Sequence, residues 1–158
     1  MRRPTGVVAA GSSATAQAAA EVLDKGGNAV DAAVAACFGT SAGEPSLTSL
    51  AGGGVMMVHE AESRISTACD FFVDAPGLGA PPASQQKEID FFPVELIFGP
   101  ARQTFHVGRA SAAVPGALPG LCTAHERWGR LPLREVIEPA RRMMTRGVEL
   151  GDYEAACF

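Results

Sequence analysis

Among the residues whose types could do chemistry, His59, His106 and His125 come first, and their spacing argues against a metal. They form no H-x-x-x-H or H-E-x-x-H pattern, which is what would set two imidazoles on one helix face, so no zinc site and no cofactor is expected. The glycine run Ala51–Val55 (AGGGV) could suggest a phosphate cradle. That device needs glycines between a strand and a helix N-terminus, and here they lead into the apolar VMMVHE. Close approach of two backbones in a packed sheet is the expectation instead. No G-x-S-x-G elbow is present to raise a serine nucleophile. Asp31 follows GGNAV among small apolar residues, a context that predicts a buried carboxylate held by backbone donors rather than a reacting group. Cys37, Cys69, Cys122 and Cys157 lie far apart without a C-x-x-C pair and are expected as buried thiols.

The elements that must position these residues follow from punctuation and periodicity. Gly6–Ala10 (GVVAA) is an apolar run too short for helical turns and predicts a buried strand. Ser12 and Ser13 offer an N-cap to an Ala-rich helix over 14–25, stopped by Gly26-Gly27. Asn28 caps a second helix to about Gly39, and Glu44-Pro45 ends the run. Residues 55–60 and 64–74 predict two strands of a hairpin around the polar AES. From Gly77 to about Phe105 the chain is rich in Pro, Gln and Gly and predicts an irregular, mobile substrate-side loop. Residues 111–114 look strand-like, and Leu118, Leu121, Cys122 and His125 recur at helical intervals. A last helix is expected over 133–146 despite Pro139, closed by Gly147. The arginines and glutamates of this final third alternate in sign, as on a solvated or interface face.

With 158 residues, 47% of them hydrophobic, the chain can bury one apolar core as a single partial domain. The net charge of -4 removes the basic field that nucleic acid or an anionic membrane surface would require. No apolar run reaches the ~20 residues of a membrane helix. Met1-Arg2-Arg3-Pro4 opens no signal-peptide pattern, so the expected compartment is cytoplasmic, or periplasmic or secreted if a leader is missing. The apolar ending Ala155-Ala156-Cys157-Phe158 carries no stop signal, and a longer natural chain is expected.

The succession GVVAAGSSATAQAAAEVLDKGGNAVDAAVAACFGTSAGEP, AGGGVMMVHE, VDAP and AAVPGALPGLCTAHERWGRLPLREVIEPARRMMTRGVEL resembles the start of γ-glutamyltranspeptidases. GGNAVDAAVA is its most specific piece, and the likeness covers about residues 6 to 150. The resemblance implies an α+β fold, the αββα sandwich of N-terminal-nucleophile hydrolases, of which only the N-terminal portion is present. It also implies a precursor that cuts itself into large and small subunits, exposing a threonine that attacks a γ-glutamyl amide with its own α-amine as base. Thr40 and Thr48 match no cleavage motif, so no catalytic residue is expected here and the chain alone should be inactive. Its expected partners are the remainder of the large subunit, the small subunit and a γ-glutamyl or related amide.

One departure bears on specificity. The family's R-E-x-A-P segment, whose arginine grips the glutamyl α-carboxylate, aligns with Phe72-Val73-Asp74-Ala75-Pro76. Phe72 thus occupies the arginine position, and Phe72 and Asp74 are the candidate substrate-binding residues. A phenyl ring cannot make the bidentate pair of a guanidinium, which leaves Arg102 and Arg109 as alternative cations. An acylase for non-glutamyl amides and a non-catalytic binding or assembly module are the other readings. With too few strands to close both sheets, the chain should expose an apolar face to the rest of the protein or to another copy.

Overall fold

The computed structural model describes residues 6–79, 81–82 and 90–157. The first helix, α1, spans Ser13–Asp24 and the second, α2, Ala29–Gly43. A hairpin follows, β1 (Gly54–Glu60) and β2 (Ile65–Phe71), then a second one, β3 (Phe92–Phe98) and β4 (Ala101–Val107). A 3-10 turn at Arg109–Ser111 leads to α3 (Ala117–Trp128), α4 (Leu133–Arg146) and the short α5 (Asp152–Ala156).

The first turns of α1 and α2 are set by side-chain caps, as the sequence predicts. The Ser12 hydroxyl accepts the Thr15 N–H and starts α1, and Lys25 donates its N–H to the Glu21 and Leu23 carbonyls at the other end. Gly26, at φ +94°, and Gly27 then turn the chain. A β-carbon on Gly27 would fall 2.8 Å from the Val22 carbonyl oxygen, so only glycine fits so short a link. Asn28 caps α2 from outside while Asp31 returns a bond to the Asn28 N–H, a reciprocal capping box. The helix continues past Gly39 to Gly43, where Glu44 and Pro45 end it.

The core lies between the helices and one face of the first hairpin. Val22, Val30, Val34, Ala35, Phe38, Leu121, Val136 and Ala140 meet Val58 of β1, with Met56 and Phe71 packed against them. Alternation puts Met56 and Val58 inward and leaves Val55 and Met57 outward, 65% and 67% exposed. The pairing is antiparallel, from Gly54 opposite Phe71 to Glu60 opposite Ile65. Among the described residues one layer of helices therefore covers one side of the β1–β2 layer, and the other side is bare. Among the described residues no helix is long and apolar enough to cross a membrane.

Several expectations are corrected. Gly6–Ala10 is not a strand; Val7 is 97% exposed, and no described strand supplies a ladder for it. Over 92–105 the expected irregular loop is instead the β3–β4 hairpin, turned by Gly99 at φ +58° and Pro100. Its remaining described part, 77–79, 81–82 and 90–91, is without regular structure, while 80 and 83–89 lie outside the described residues. Residues 111–114 contribute a single bridge, Val114 to Asp74, not a strand. Of the four thiols, Cys37, Cys69 and Cys122 are half-buried and Cys157 is exposed, because it sits on the outer end of α5. All four are free, and burial pushes the Cys37 thiol above its usual range.

Candidate functional site

Phe72 and Asp74 follow the end of β2, and three glycines fix the backbone there. A β-carbon on Gly53 would stand 2.6 Å from the Val73 nitrogen. One on Gly116 would stand 2.2 Å from the Phe71 carbonyl oxygen, and one on Gly120 would enter the Phe71 ring at 2.3 Å. These are contacts between main chains, or between helix and ring, that leave room only for hydrogen. The glycine run thus serves close backbone approach, as its context predicts. Gly52 adds a second tie, its carbonyl accepting the N–H groups of Gly116 (3.0 Å) and Ala117 (2.9 Å) at the start of α3.

Held in this way, the chain pairs Asp74 with Val114 through two backbone bonds of 3.2 and 2.8 Å. The Phe72 side chain projects outward, 64% exposed, while its N–H donates to Asp70 Oδ1 at 3.0 Å. Asp70 and Asp74 stand two residues to either side of Phe72 in the chain, and the Asp70 carboxylate is spent on the Phe72 N–H. The alternative cations are engaged elsewhere. Arg102 bonds Glu95 at 2.9 Å across the second hairpin, and Arg109 bonds Asp90 at 2.9 Å at its base.

Asp31 is a different case, fully buried and saturated. Its carboxylate accepts the N–H groups of Asn28 (2.9 Å), Arg130 (3.0 Å to Oδ1, 3.1 Å to Oδ2) and Leu131 (3.3 Å). His125 Nε2 lies 3.4 Å from Oδ1 and 2.9 Å from the Leu131 carbonyl, which requires the proton on Nε2. Asn28 extends the knot by donating Nδ2 to the Trp128 carbonyl at 2.6 Å, and Trp128 donates its indole N–H to Glu60 at 2.6 Å. GGNAVD is therefore a joint that ties the start of α2 to the α3–α4 corner and to β1. Every oxygen of the carboxylate is spent on this, so Asp31 has the structural role that its small apolar neighbours suggest.

Thr40 and Thr48 donate their hydroxyls to the carbonyls of Cys37 (2.8 Å) and Glu44 (3.2 Å), the back-bonding of helical and post-helical threonines. Neither is presented as a nucleophile. A further buried carboxylate, Glu154 on α5, takes the N–H and hydroxyl of Ser46 on Oε2 at 3.2 and 2.5 Å and so ties the end of the chain to the loop after α2. No sequence signal marks that pair, since 108 residues separate its members. A separate cleft of 640 Å³ opens beside α1 and α2, lined by Val8, Leu23, Ala32, Ala36 and Arg130 among others. It holds no constellation of acids, bases or nucleophiles.

Comparison with known proteins matches residues 15–158 to the family model described as gamma-glutamyltranspeptidase. The chain is 36% identical over 145 residues to the Acylase ACY 1 proenzyme of Pseudomonas sp. (strain SE83), covering 89% of this chain and 25% of that protein. It is 34% identical over 147 residues to the glutathione hydrolase proenzyme of Pseudomonas aeruginosa, covering 93% and 24%. The chain therefore spans about a quarter of the length of the curated relatives it matches. Among solved structures, a γ-glutamyltranspeptidase from Pseudomonas nitroreducens complexed with L-DON superposes with a TM-score of 0.72 at 29% identity, over 96% of this chain and 42% of that one. The shared architecture is the α+β fold of N-terminal-nucleophile hydrolases, and the part of it that this chain spans is an N-terminal portion of the large subunit.

Proposed function

The chain belongs to the γ-glutamyltranspeptidase family, and from that membership we propose that it forms the front of the large subunit of a self-processing amidohydrolase. The precursor hydrolyses or transfers γ-glutamyl or related amides through a threonine that lies outside these 158 residues. The threonine hydroxyl attacks the amide carbonyl while its own α-amine takes the hydroxyl proton. That proton then goes to the departing amine, and the acyl group passes to water or to an acceptor amine. The observation that carries this reading is the match running through residues 15–158 while covering a quarter of the relatives' length. Within it the chain's own part is structural: the glycine junction fixes where β2 ends and Phe72 begins, and the Asp31 joint ties α2 to the α3–α4 corner.

A second reading is favoured by what surrounds Phe72. The ring stands where the resemblance places a carboxylate-binding arginine, with Asp70 and Asp74 at hand and both Arg102 and Arg109 paired elsewhere. A free α-carboxylate would meet a phenyl ring in place of a guanidinium there, which disfavours glutamyl donors and suits an acylase for neutral acyl groups.

The test is turnover of the complete precursor on L-γ-glutamyl-p-nitroanilide beside p-nitroanilides of neutral acyl groups. Faster glutamyl turnover supports the first reading and faster neutral turnover the second. Phe72→Arg should then raise the glutamyl rate relative to the neutral one by about tenfold or more, the scale of one charge-assisted pair. A precursor that neither cuts itself nor turns over any amide would sink both readings and leave a binding or assembly module.

A further inference from the structure

The β3–β4 hairpin is built like part of a core and stands outside one. Its register places Phe92, Val94, Leu96 and Phe98 on one face with Val107, Phe105, Gln103 and Ala101 opposite them. The other face carries Pro93, Glu95 and Ile97 with His106, Thr104 and Arg102. That second face is largely polar or self-paired, with Ile97 its one strongly exposed aliphatic side chain at 64%. Glu95 pairs with Arg102 at 2.9 Å, and the Phe91 ring stacks on His106 at 4.8 Å.

On the first face Phe92, Leu96, Phe98, Phe105 and Val107 are all exposed, and only Val94 is half-buried. Two strands alone are at best marginally stable in water and need a third strand or a packed layer. The base of this hairpin is closed on itself. Arg109 bonds the Asp90 carboxylate through both Nε (2.9 Å) and its backbone N–H (3.2 Å), and the Ala110 N–H bonds the Asp90 carbonyl at 3.0 Å. Gly108, at φ +120°, lets the two strands close there, where a β-carbon would stand 2.3 Å from the Asp90 carbonyl oxygen. A pre-formed hairpin with a bare apolar face is a surface held ready for something to pack on it.

Area decides between a second copy and the same polypeptide. Seven residues per strand at about 3.4 Å each, and two strands about 4.8 Å apart, give a face of about 24 Å by about 10 Å. A stable complex between separate molecules needs roughly 800 Å² a side. The face is too small to hold a free partner, but a segment of the same chain brings its own effective concentration and needs far less. The relatives supply such chain, since three quarters of their length lies beyond what this sequence spans.

Resting on the precursor reading above, we propose that the Phe92–Leu96–Phe105 face of the β3–β4 hairpin is a docking surface covered by apolar polypeptide that follows Phe158 in the same precursor. The covering segment carries no charge over this face, because no group here would pair with one.

The experiment places a photoreactive benzoylphenylalanine at Leu96 of the complete precursor, at Phe105 in a second protein, and at Glu95 on the opposite face as control. Positions 96 and 105 are expected to cross-link within one molecule to residues beyond 158, several-fold more than position 95. Cross-links between two copies in an isotopically mixed sample, cross-links confined to residues 1–158, or no excess over the control would each overturn the proposal. Self-cleavage and p-nitroanilide turnover of the same preparations score the catalytic reading separately. A protein that cross-links as expected but turns nothing over would keep the docking surface and lose the proposed activity.

Discussion

Removing the fully buried Asp31 carboxylate would leave the N–H groups of Asn28, Arg130 and Leu131 without their acceptor. Each unsatisfied buried donor costs about 1–3 kcal/mol. Asp31→Ala is therefore expected to destabilise by about 3 kcal/mol or more, and Asp31→Asn by less, since one amide oxygen can still accept. Thermal melting of the precursor carrying each change reads this. Equal melting of wild type and Asp31→Ala would show that the joint carries no weight. The prediction belongs to a residue, because a single carboxylate joins three segments up to 100 positions apart. Its structural role was legible in the sequence from the small apolar residues around it. The partners were not: Arg130 and Leu131 contribute backbone N–H groups, which every residue has and no spacing reveals.

Elements whose ends are set locally were legible, and those set by distant partners were not. Helix α1 follows from an Ala-rich run, a serine cap and the glycines after it, and α4 from its helical spacing and the closing Gly147. The β3–β4 hairpin escaped notice because Pro93, Gly99 and Pro100 break a run whose alternation points to no core, every residue but Val94 being exposed. Gly6–Ala10 failed in the opposite sense, an apolar run without a described strand to pair with. Gly116→Ala would push a β-carbon to 2.2 Å from the Phe71 carbonyl oxygen, a backbone atom that cannot turn aside. It should cost about 2–3 kcal/mol and tilt α3 away from β2, lowering the melting temperature of the protein. A melting temperature unchanged by Gly116→Ala would show that this contact is loose.

A weaker tie joins α1 to α4. Lys25 bonds Glu21 at 2.7 Å, Arg142 bonds it from the other side, and together they hold the Glu21 carboxyl below the usual carboxylate range. A carboxyl depressed by folding contributes stability at pH values above its unfolded pKa. That contribution is lost as pH falls through the lower folded value. The pair is largely exposed, so the effect stays within about 1 kcal/mol. Glu21→Gln should leave melting at pH 3 nearly unchanged and lower it slightly at pH 7. A larger loss at pH 3 than at pH 7 would reverse the sign and refute the linkage.

For the molecule as a whole, the deciding feature is that its strand layer is covered on one side only. Val58 and Met56 face the helices, while Val55 and Met57 face outward on the other side of the same strand. In this chain by itself those two side chains touch mostly solvent, and changing them to aspartate should alter stability by no more than about 0.5 kcal/mol. In a four-layer sandwich a second sheet would cover the same positions, and each aspartate would become a buried charge without a partner, a loss of several kcal/mol. Val55→Asp and Met57→Asp are therefore expected to be tolerated by the 158-residue chain, read by its circular dichroism and solubility, and to abolish folding and self-cleavage of the precursor. Tolerance in both would mean that the outer face of β1–β2 meets water in the mature protein too, and that no second sheet covers it. Intolerance in both would place the face against something within these 158 residues. Only the asymmetric outcome fits a half-built sandwich, and it is the asymmetry, rather than either result alone, that carries the conclusion.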